Sequence, residues 1–109
     1  MSQLQFEKVA FIGLGLIGSS LARVIRAKGL AKQIVASTRS EQTLTDAKAL
    51  GLIEAGYRDP IDAVQGADLV VLALPVRATE HILATIKPYL SVHTIITDVG
   101  STKGNVVDA

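Results

Sequence analysis

Short unbroken apolar runs alternate along this chain with stretches whose apolar residues recur every three or four positions. The first run, Val9-Ala10-Phe11-Ile12, predicts a strand and meets Gly13 directly. Beyond it Ile17, Leu21, Val24 and Ile25 recur at helical spacing, and the pattern stops at Gly29, a residue that ends helices readily. Gln33-Ile34-Val35-Ala36 predicts a second strand. Ser40 is then placed to cap a helix carrying Leu44, Ala47 and Leu50 and ending at Gly51. A brief third strand is expected near residues 52–55. After it, Asp59-Pro60 pairs a capping residue with a proline at the first position of a helix closed by Gly66. Leu69-Val70-Val71-Leu72-Ala73-Leu74 has no alternation, which suits a strand covered on both faces, and Pro75 ends it. Ile82, Leu83 and Ile86 mark a helix that stops near Pro88, Thr94-Ile95-Ile96-Thr97 predicts a further strand, and residues 105–109 resemble a helix cut short.

Strands alternating with helices specify an α/β fold, a doubly wound parallel sheet with right-handed crossovers. At 109 residues the chain is one domain at most, and short for an enzyme needing both cofactor and substrate surfaces. It is expected to be part of something larger, with its sheet stopping before the last strand. Ligands of such sheets bind at the carboxyl ends of the strands, where the strand order reverses. Four segments should therefore converge on one crevice: residues 13–18, 37–40, 74–77 and 98–103.

Charge and composition narrow the partners. A formal net charge of +1, with Lys and Arg scattered, gives no basic stripe for nucleic acid or an anionic membrane. Small molecules are the expected partners. There is no cysteine, and the two histidines, His81 and His93, are too few and too badly spaced to hold a metal. Each reads as an ordinary partly exposed histidine. Residues 1–8 lack the apolar stretch of a secretory signal, and the longest apolar run, residues 69–76, is far too short to span a bilayer. A cytoplasmic protein is expected.

The candidate chemistry begins at Gly13-Leu14-Gly15-Leu16-Ile17-Gly18, which lies between the first strand and the first helix. In that context Gly13 permits the tight turn, Gly15 lets a pyrophosphate approach the backbone, and Gly18 lets the helix pack closely on the strand. The phosphates would rest on the unpaired N–H groups of Leu16 and Ile17, where the helix dipole adds partial positive charge. The ligandless alternative is a tight turn and nothing more. At the end of the second strand, where NAD-binding domains usually carry Asp or Glu, this chain has Ser37-Thr38-Arg39. Two hydroxyls and a guanidinium can bond the 2′-phosphate of NADP, which a carboxylate would repel. NADP is thus favoured, with NAD possible; the alternative makes these ordinary loop residues with a solvated arginine. Glu41 is expected to support the helix N-terminus that follows. Leu74, Pro75 and Val76 should form an apolar wall against the dinucleotide. Arg77 reads either as a phosphate or carboxylate contact or as a surface charge, and Arg58 as a solvated loop charge.

Taken together, the residues from Phe11 to Ala22, then Leu72-Ala73-Leu74-Pro75-Val76, then Asp98-Val99-Gly100-Ser101-Thr102-Lys103 resemble the prephenate/arogenate (cyclohexadienyl) dehydrogenase family. Essentially the whole chain fits that family's N-terminal nucleotide-binding domain, a Rossmann-like fold. The resemblance implies oxidative decarboxylation of prephenate or arogenate with hydride transfer to a nicotinamide, in tyrosine biosynthesis. It also implies that Ser101 is an active-site serine, bonding the reacting hydroxyl or its histidine partner. From physics alone Ser101 reads equally as the cap of a final helix. Lys103 would lie near the same crevice, and Asp98 could tie the loop together through backbone N–H groups. The family's catalytic histidine and its helical substrate and dimerisation domain would lie beyond Ala109, so this chain alone should bind nucleotide without turning over substrate, and its parent should be a homodimer. Two other functions stay open: another β-hydroxyacid-type dehydrogenase or pyrroline-carboxylate-type reductase, and an NAD(P)-sensing module without chemistry.

Overall fold

A computed structural model of the chain describes residues 6–74 and 76–99. Five strands, β1 (Phe6–Ile12), β2 (Ala31–Ser37), β3 (Ala55–Tyr57), β4 (Leu69–Leu72) and β5 (Ile95–Asp98), form one sheet in the order β3-β2-β1-β4-β5. Every pairing is parallel. The helices α1 (Gly15–Lys28), α2 (Glu41–Ala49), α3 (Pro60–Val64) and α4 (Val76–Ile86) make the crossovers, and a 3-10 turn at Lys87–Tyr89 extends the last. The order reverses at β1 and β4, so the crevice expected at a topological switch point opens above these two strands.

The sheet is buried on both faces, which explains why its central strands show no hydropathic alternation. Side chains alternate faces with period two. Val9 and Phe11 of β1 join Ile34 and Ala36 of β2 and Leu69 and Val71 of β4 in the cluster that includes Ala22 and Ile25 of α1 and Leu44 and Ala47 of α2. Ala10 and Ile12, Val35, and Val70 and Leu72 face the opposite cluster, with Ala63 and Val64 of α3 and Ile86 of α4. Each run is apolar throughout because each of its sides meets a different helical layer. In β5, by contrast, Ile95 and Ile96 are exposed.

Helix ends follow local chemistry. Ser40 caps α2 by accepting a hydrogen bond from the Thr43 N–H at 3.2 Å, and Asp59 caps α3 by accepting from the Ile61 N–H at 2.9 Å, with Pro60 next in line. At the other end of α1, Arg26 reaches across to Glu54, with Nη1 2.8 Å from Oε2 and Nη2 2.9 Å from Oε1. The same Oε1 accepts the Ile34 N–H at 2.7 Å, so one carboxylate ties α1, β2 and the approach to β3 together. The Arg26 hydrogen bond, supported by the Ile34 N–H, holds the Glu54 carboxyl below its ordinary pKa, and Glu54 raises that of Arg26.

Several expected boundaries move. The third strand occupies Ala55–Tyr57 instead of 52–55; Leu52 and Ile53, the apolar residues that suggested it, are buried core residues that precede it. Val24, expected on the buried stripe of α1, is 45% exposed, because the helix faces the sheet through the small Ala22 and the neighbouring Ile25. Leu50 is also exposed, lying just past the end of α2. The fourth strand ends at Leu72, two residues short of the apolar run, and the fifth spans Ile95–Asp98, one residue later than expected. The expected helix at 105–109 lies outside the described residues.

Candidate dinucleotide-binding site

The site is assembled by hydrogen bonds that continue the sheet one rung past its strands. Gly13 N–H donates to the Ser37 carbonyl at 2.7 Å, Ala73 N–H to Ile12 at 2.9 Å, Thr38 N–H to Tyr57 at 3.2 Å, and Val99 N–H to Leu72 at 2.9 Å. The loops leaving β1, β2, β3 and β4 are therefore fixed to one another where they leave the sheet. Gly13 turns the chain with φ +81°, in the left-handed region that glycine alone enters without cost. A Cβ placed there would lie 2.6 Å from the Ala73 carbonyl oxygen. At Gly18 it would lie 3.1 Å from the Ala73 Cβ, so α1 runs closely against the chain leaving β4, a contact that an added side chain would tighten.

The first turn of α1 follows at once, beginning at Gly15. Unlike α2 and α3, it has no capping side chain at its start, where Leu14 stands, and no acidic residue in its first turn. Its leading N–H groups, those of Leu16 and Ile17 among them, keep the donors and the partial positive charge that a helix of this length presents to an anion. No basic side chain is needed for that interaction.

A cleft of about 900 Å³ opens beside this turn, lined by Ile12 and Gly13 at the end of β1, Ser37, Thr38 and Arg39 at and after the end of β2, Arg58, Asp59 and Pro60 after β3, and Leu74, Ala78 and Ile82 before and on α4. Its size suits a cofactor-sized ligand, and its mixture of apolar walls with few polar groups is that of small-molecule sites. Ile12, Pro60, Leu74, Ala78 and Ile82 supply apolar surface; the hydroxyls and guanidiniums gather at the β2 and β3 end. Ser37 is buried and Thr38 half-buried, while Arg39 is exposed. The segment 37–39 carries no carboxylate, and Asp59 has one oxygen engaged by the Ile61 N–H. These residues fit a dinucleotide: an uncapped helix N-terminus stands next to a cleft with an apolar wall and a cationic rim.

Of the segments expected to converge, residues 13, 37–39 and 74 line this cleft. Asp98 pairs with Leu72 at the carboxyl end of β4, on the side of that strand away from β1. Residues 58–60 join the cleft as well. Arg58, read from the sequence as a solvated charge, lines the cleft and pairs with Glu41 in the first turn of α2. The adjacency of β2 and β3 was the signal that could have found it, since parallel neighbours bring successive carboxyl-end loops together. Arg77 is exposed and not among the lining residues. Gly15, Leu16, Ile17 and Val76 are described as helical backbone at the mouth of the site. Pro75, Ser101 and Lys103 lie outside the described residues. His81, on α4, and His93 do not line the cleft. Among the described residues no group of acids and histidines could hold a metal ion, and no helix is long and apolar enough to cross a membrane.

A strand, a glycine turn and an uncapped helix facing a cleft at a topological switch point define a nucleotide-binding domain of the Rossmann class. Comparison with known proteins narrows the class. The profile of the nucleotide-binding domain of prephenate dehydrogenase matches residues 21–109, and the chain belongs to that family. Cyclohexadienyl dehydrogenase of Zymomonas mobilis is 42% identical over 102 residues, 94% of this chain. Among solved structures, prephenate dehydrogenase of Aquifex aeolicus in complex with hydroxyphenyl propionate and NAD+ superposes with a TM-score of 0.79 at 27% identity, covering 89% of this chain and 34% of that one. Synechocystis arogenate dehydrogenase gives 0.78 at 31% identity, covering 93% of this chain and 35% of that one. The chain thus spans about a third of these relatives, including 35% of the Zymomonas protein.

Proposed function

We propose that this chain is the NADP-binding part of a dehydrogenase that oxidatively decarboxylates prephenate or arogenate. The observation that carries the cofactor choice is the trio Ser37, Thr38 and Arg39 lining the cleft at the end of β2, where an NAD-binding domain usually presents a carboxylate. The N–H groups of Leu16 and Ile17 would receive the pyrophosphate, Gly15 would keep its approach clear, and Gly13 and Gly18 set the turn and the helix packing that place it. The wall of Ile12, Leu74 and Ile82 would take the apolar face of the dinucleotide. When bound, the nicotinamide supplies the hydride acceptor. This chain's part is to orient the cofactor and to close one side of the crevice against water.

By family resemblance Ser101 would hydrogen-bond the substrate's reacting hydroxyl or the histidine that takes its proton. The substrate-binding and dimer-forming parts belong to the whole protein.

Titration of the chain with NADP and NAD tests the cofactor choice. NADP is expected to bind more tightly, and Arg39→Gln to weaken NADP about tenfold, the low end for a charge-assisted bond at an exposed site, while leaving NAD within twofold. Equal or reversed affinities would overturn it. In the whole protein, Ser101→Ala should lower kcat on prephenate or arogenate without changing NADP affinity; unchanged kcat would remove Ser101 from the site.

A further inference from the structure

The ends of β2 and β3 bring two guanidiniums to one rim. Arg39 and Arg58 both line the cleft, and their loops are tied together by the Thr38 N–H bond to Tyr57 at 3.2 Å. Thr38 Oγ1 in turn accepts the Ser40 N–H at 3.3 Å, which fixes the approach to α2. Among the described residues Arg39 makes no ion pair. Arg58 makes one, with Nη1 2.9 Å from Glu41 Oε2, and the two side chains are 65% and 72% exposed. So exposed a pair contributes little and exchanges partners readily. Glu41 also stands in the first turn of α2, where the helix N-terminus favours its charge whether or not Arg58 is present. Releasing Arg58 therefore does not strand an unpaired carboxylate.

We propose that Arg58 is a second determinant of cofactor choice: its guanidinium exchanges the Glu41 carboxylate for the 2′-phosphate of NADP, joining Arg39 from the neighbouring loop. Glu41 then acts as an internal competitor that holds Arg58 at the rim when no 2′-phosphate is present. A phosphate monoester offers three strong acceptor oxygens and close to two negative charges at neutral pH, more than the single carboxylate it displaces. The other charged group of the lining, Asp59, has an oxygen engaged in capping α3 and sets a net positive rim against the two arginines. The proposal rests on the NADP reading above.

The test uses the full chain and two ligands that differ only in the 2′-phosphate, 2′,5′-ADP and 5′-AMP, titrated calorimetrically against the wild type, Arg58→Gln, Glu41→Gln and Arg39→Gln. Circular dichroism melts confirm that each variant is folded. Arg58→Gln should weaken 2′,5′-ADP about fivefold to tenfold and leave 5′-AMP within twofold, as expected for loss of one exposed charge-assisted contact. Glu41→Gln should tighten 2′,5′-ADP roughly two- to threefold, the scale of a surface ion pair. By phosphorus NMR, the second pKa of the bound 2′-phosphate, about 6 when free, should fall on the wild type and fall less on Arg58→Gln. If Arg58→Gln binds 2′,5′-ADP like the wild type while Arg39→Gln loses it, the role of Arg58 is refuted and the NADP reading stands. Equal weakening of both ligands by Arg58→Gln also refutes it. A wild type that does not distinguish the two ligands overturns both.

Discussion

Replacing Gly13 by alanine should damage the fold as well as the site, and the two causes can be separated. The residue holds φ +81°, and an L-residue there incurs about 1–2 kcal/mol of backbone cost. Its new Cβ would also stand 2.6 Å from the Ala73 carbonyl oxygen and 2.7 Å from Leu74 Cδ2. The leucine tip can rotate away, but the carbonyl belongs to the end of β4, whose N–H is bonded to Ile12, so overpacking adds about 1–3 kcal/mol. The sum, roughly 2–5 kcal/mol, is a large part of a small domain's stability and should lower Tm by about 8 °C or more. Gly18→Ala is the contrasting case. Its Cβ would meet the Ala73 Cβ at 3.1 Å, a cost partly offset by the gain of about 1 kcal/mol from alanine in a helix. Removing that methyl with Ala73→Gly should relieve Gly18→Ala in a double-mutant cycle, with a coupling of about 0.5–1 kcal/mol. The same change should not relieve Gly13→Ala, whose obstacle is a backbone oxygen that Ala73→Gly keeps. Urea denaturation of the six chains, the wild type, the three single variants and the two doubles, reads the cycle. A Gly13→Ala protein as stable as the wild type, or one rescued by Ala73→Gly, would refute the reasoning.

Other outcomes follow from the strut and the caps. Glu54→Ala should destabilise by about 1–3 kcal/mol at neutral pH, since it leaves the Ile34 N–H without its acceptor and Arg26 without its carboxylate. Because the folded pKa of Glu54 lies below its unfolded value, the ion-pair part of this difference is complete above about pH 5 and disappears as pH falls through the folded pKa. Urea midpoints at neutral pH and near pH 3 measure it; a gap that widens in acid would contradict the assignment. Ser40→Ala should cost about 1 kcal/mol through loss of the cap on Thr43 N–H, while Ser40→Asp should retain most of it, as thermal melts would show.

The parts of the fold that were legible are those in which local chemistry and burial agree. Val9 to Ile12 followed by glycine, the apolar run from Leu69, and the caps at Ser40 and Asp59 all occur where their residue types point. What was not legible involves small residues and short pairings. In α1 the small Gly18 and Ala22 share the contact face with Ile25, so hydropathy favoured the larger Val24, which faces outward. Strand β3 is three residues of half-buried Ala55-Gly56-Tyr57, held by pairing to β2 and lacking any apolar run of its own. Misplacing it moved its carboxyl end away from Arg58, which hid half of the cationic rim. The glycine loop, by contrast, needed no tertiary information, because its strand and helix are adjacent in sequence.

The central claim is that this chain binds a dinucleotide with its pyrophosphate on the first turn of α1 and its adenosine end in the adjoining cleft. Titration of the isotopically labelled chain with NADP, followed by amide NMR, tests it most directly. The largest shifts should fall on the N–H groups of residues 15–18, with a second set at Ser37, Thr38, Arg39 and Arg58. Saturating NADP that leaves those amides unmoved, or shifts centred on another surface, would contradict the account.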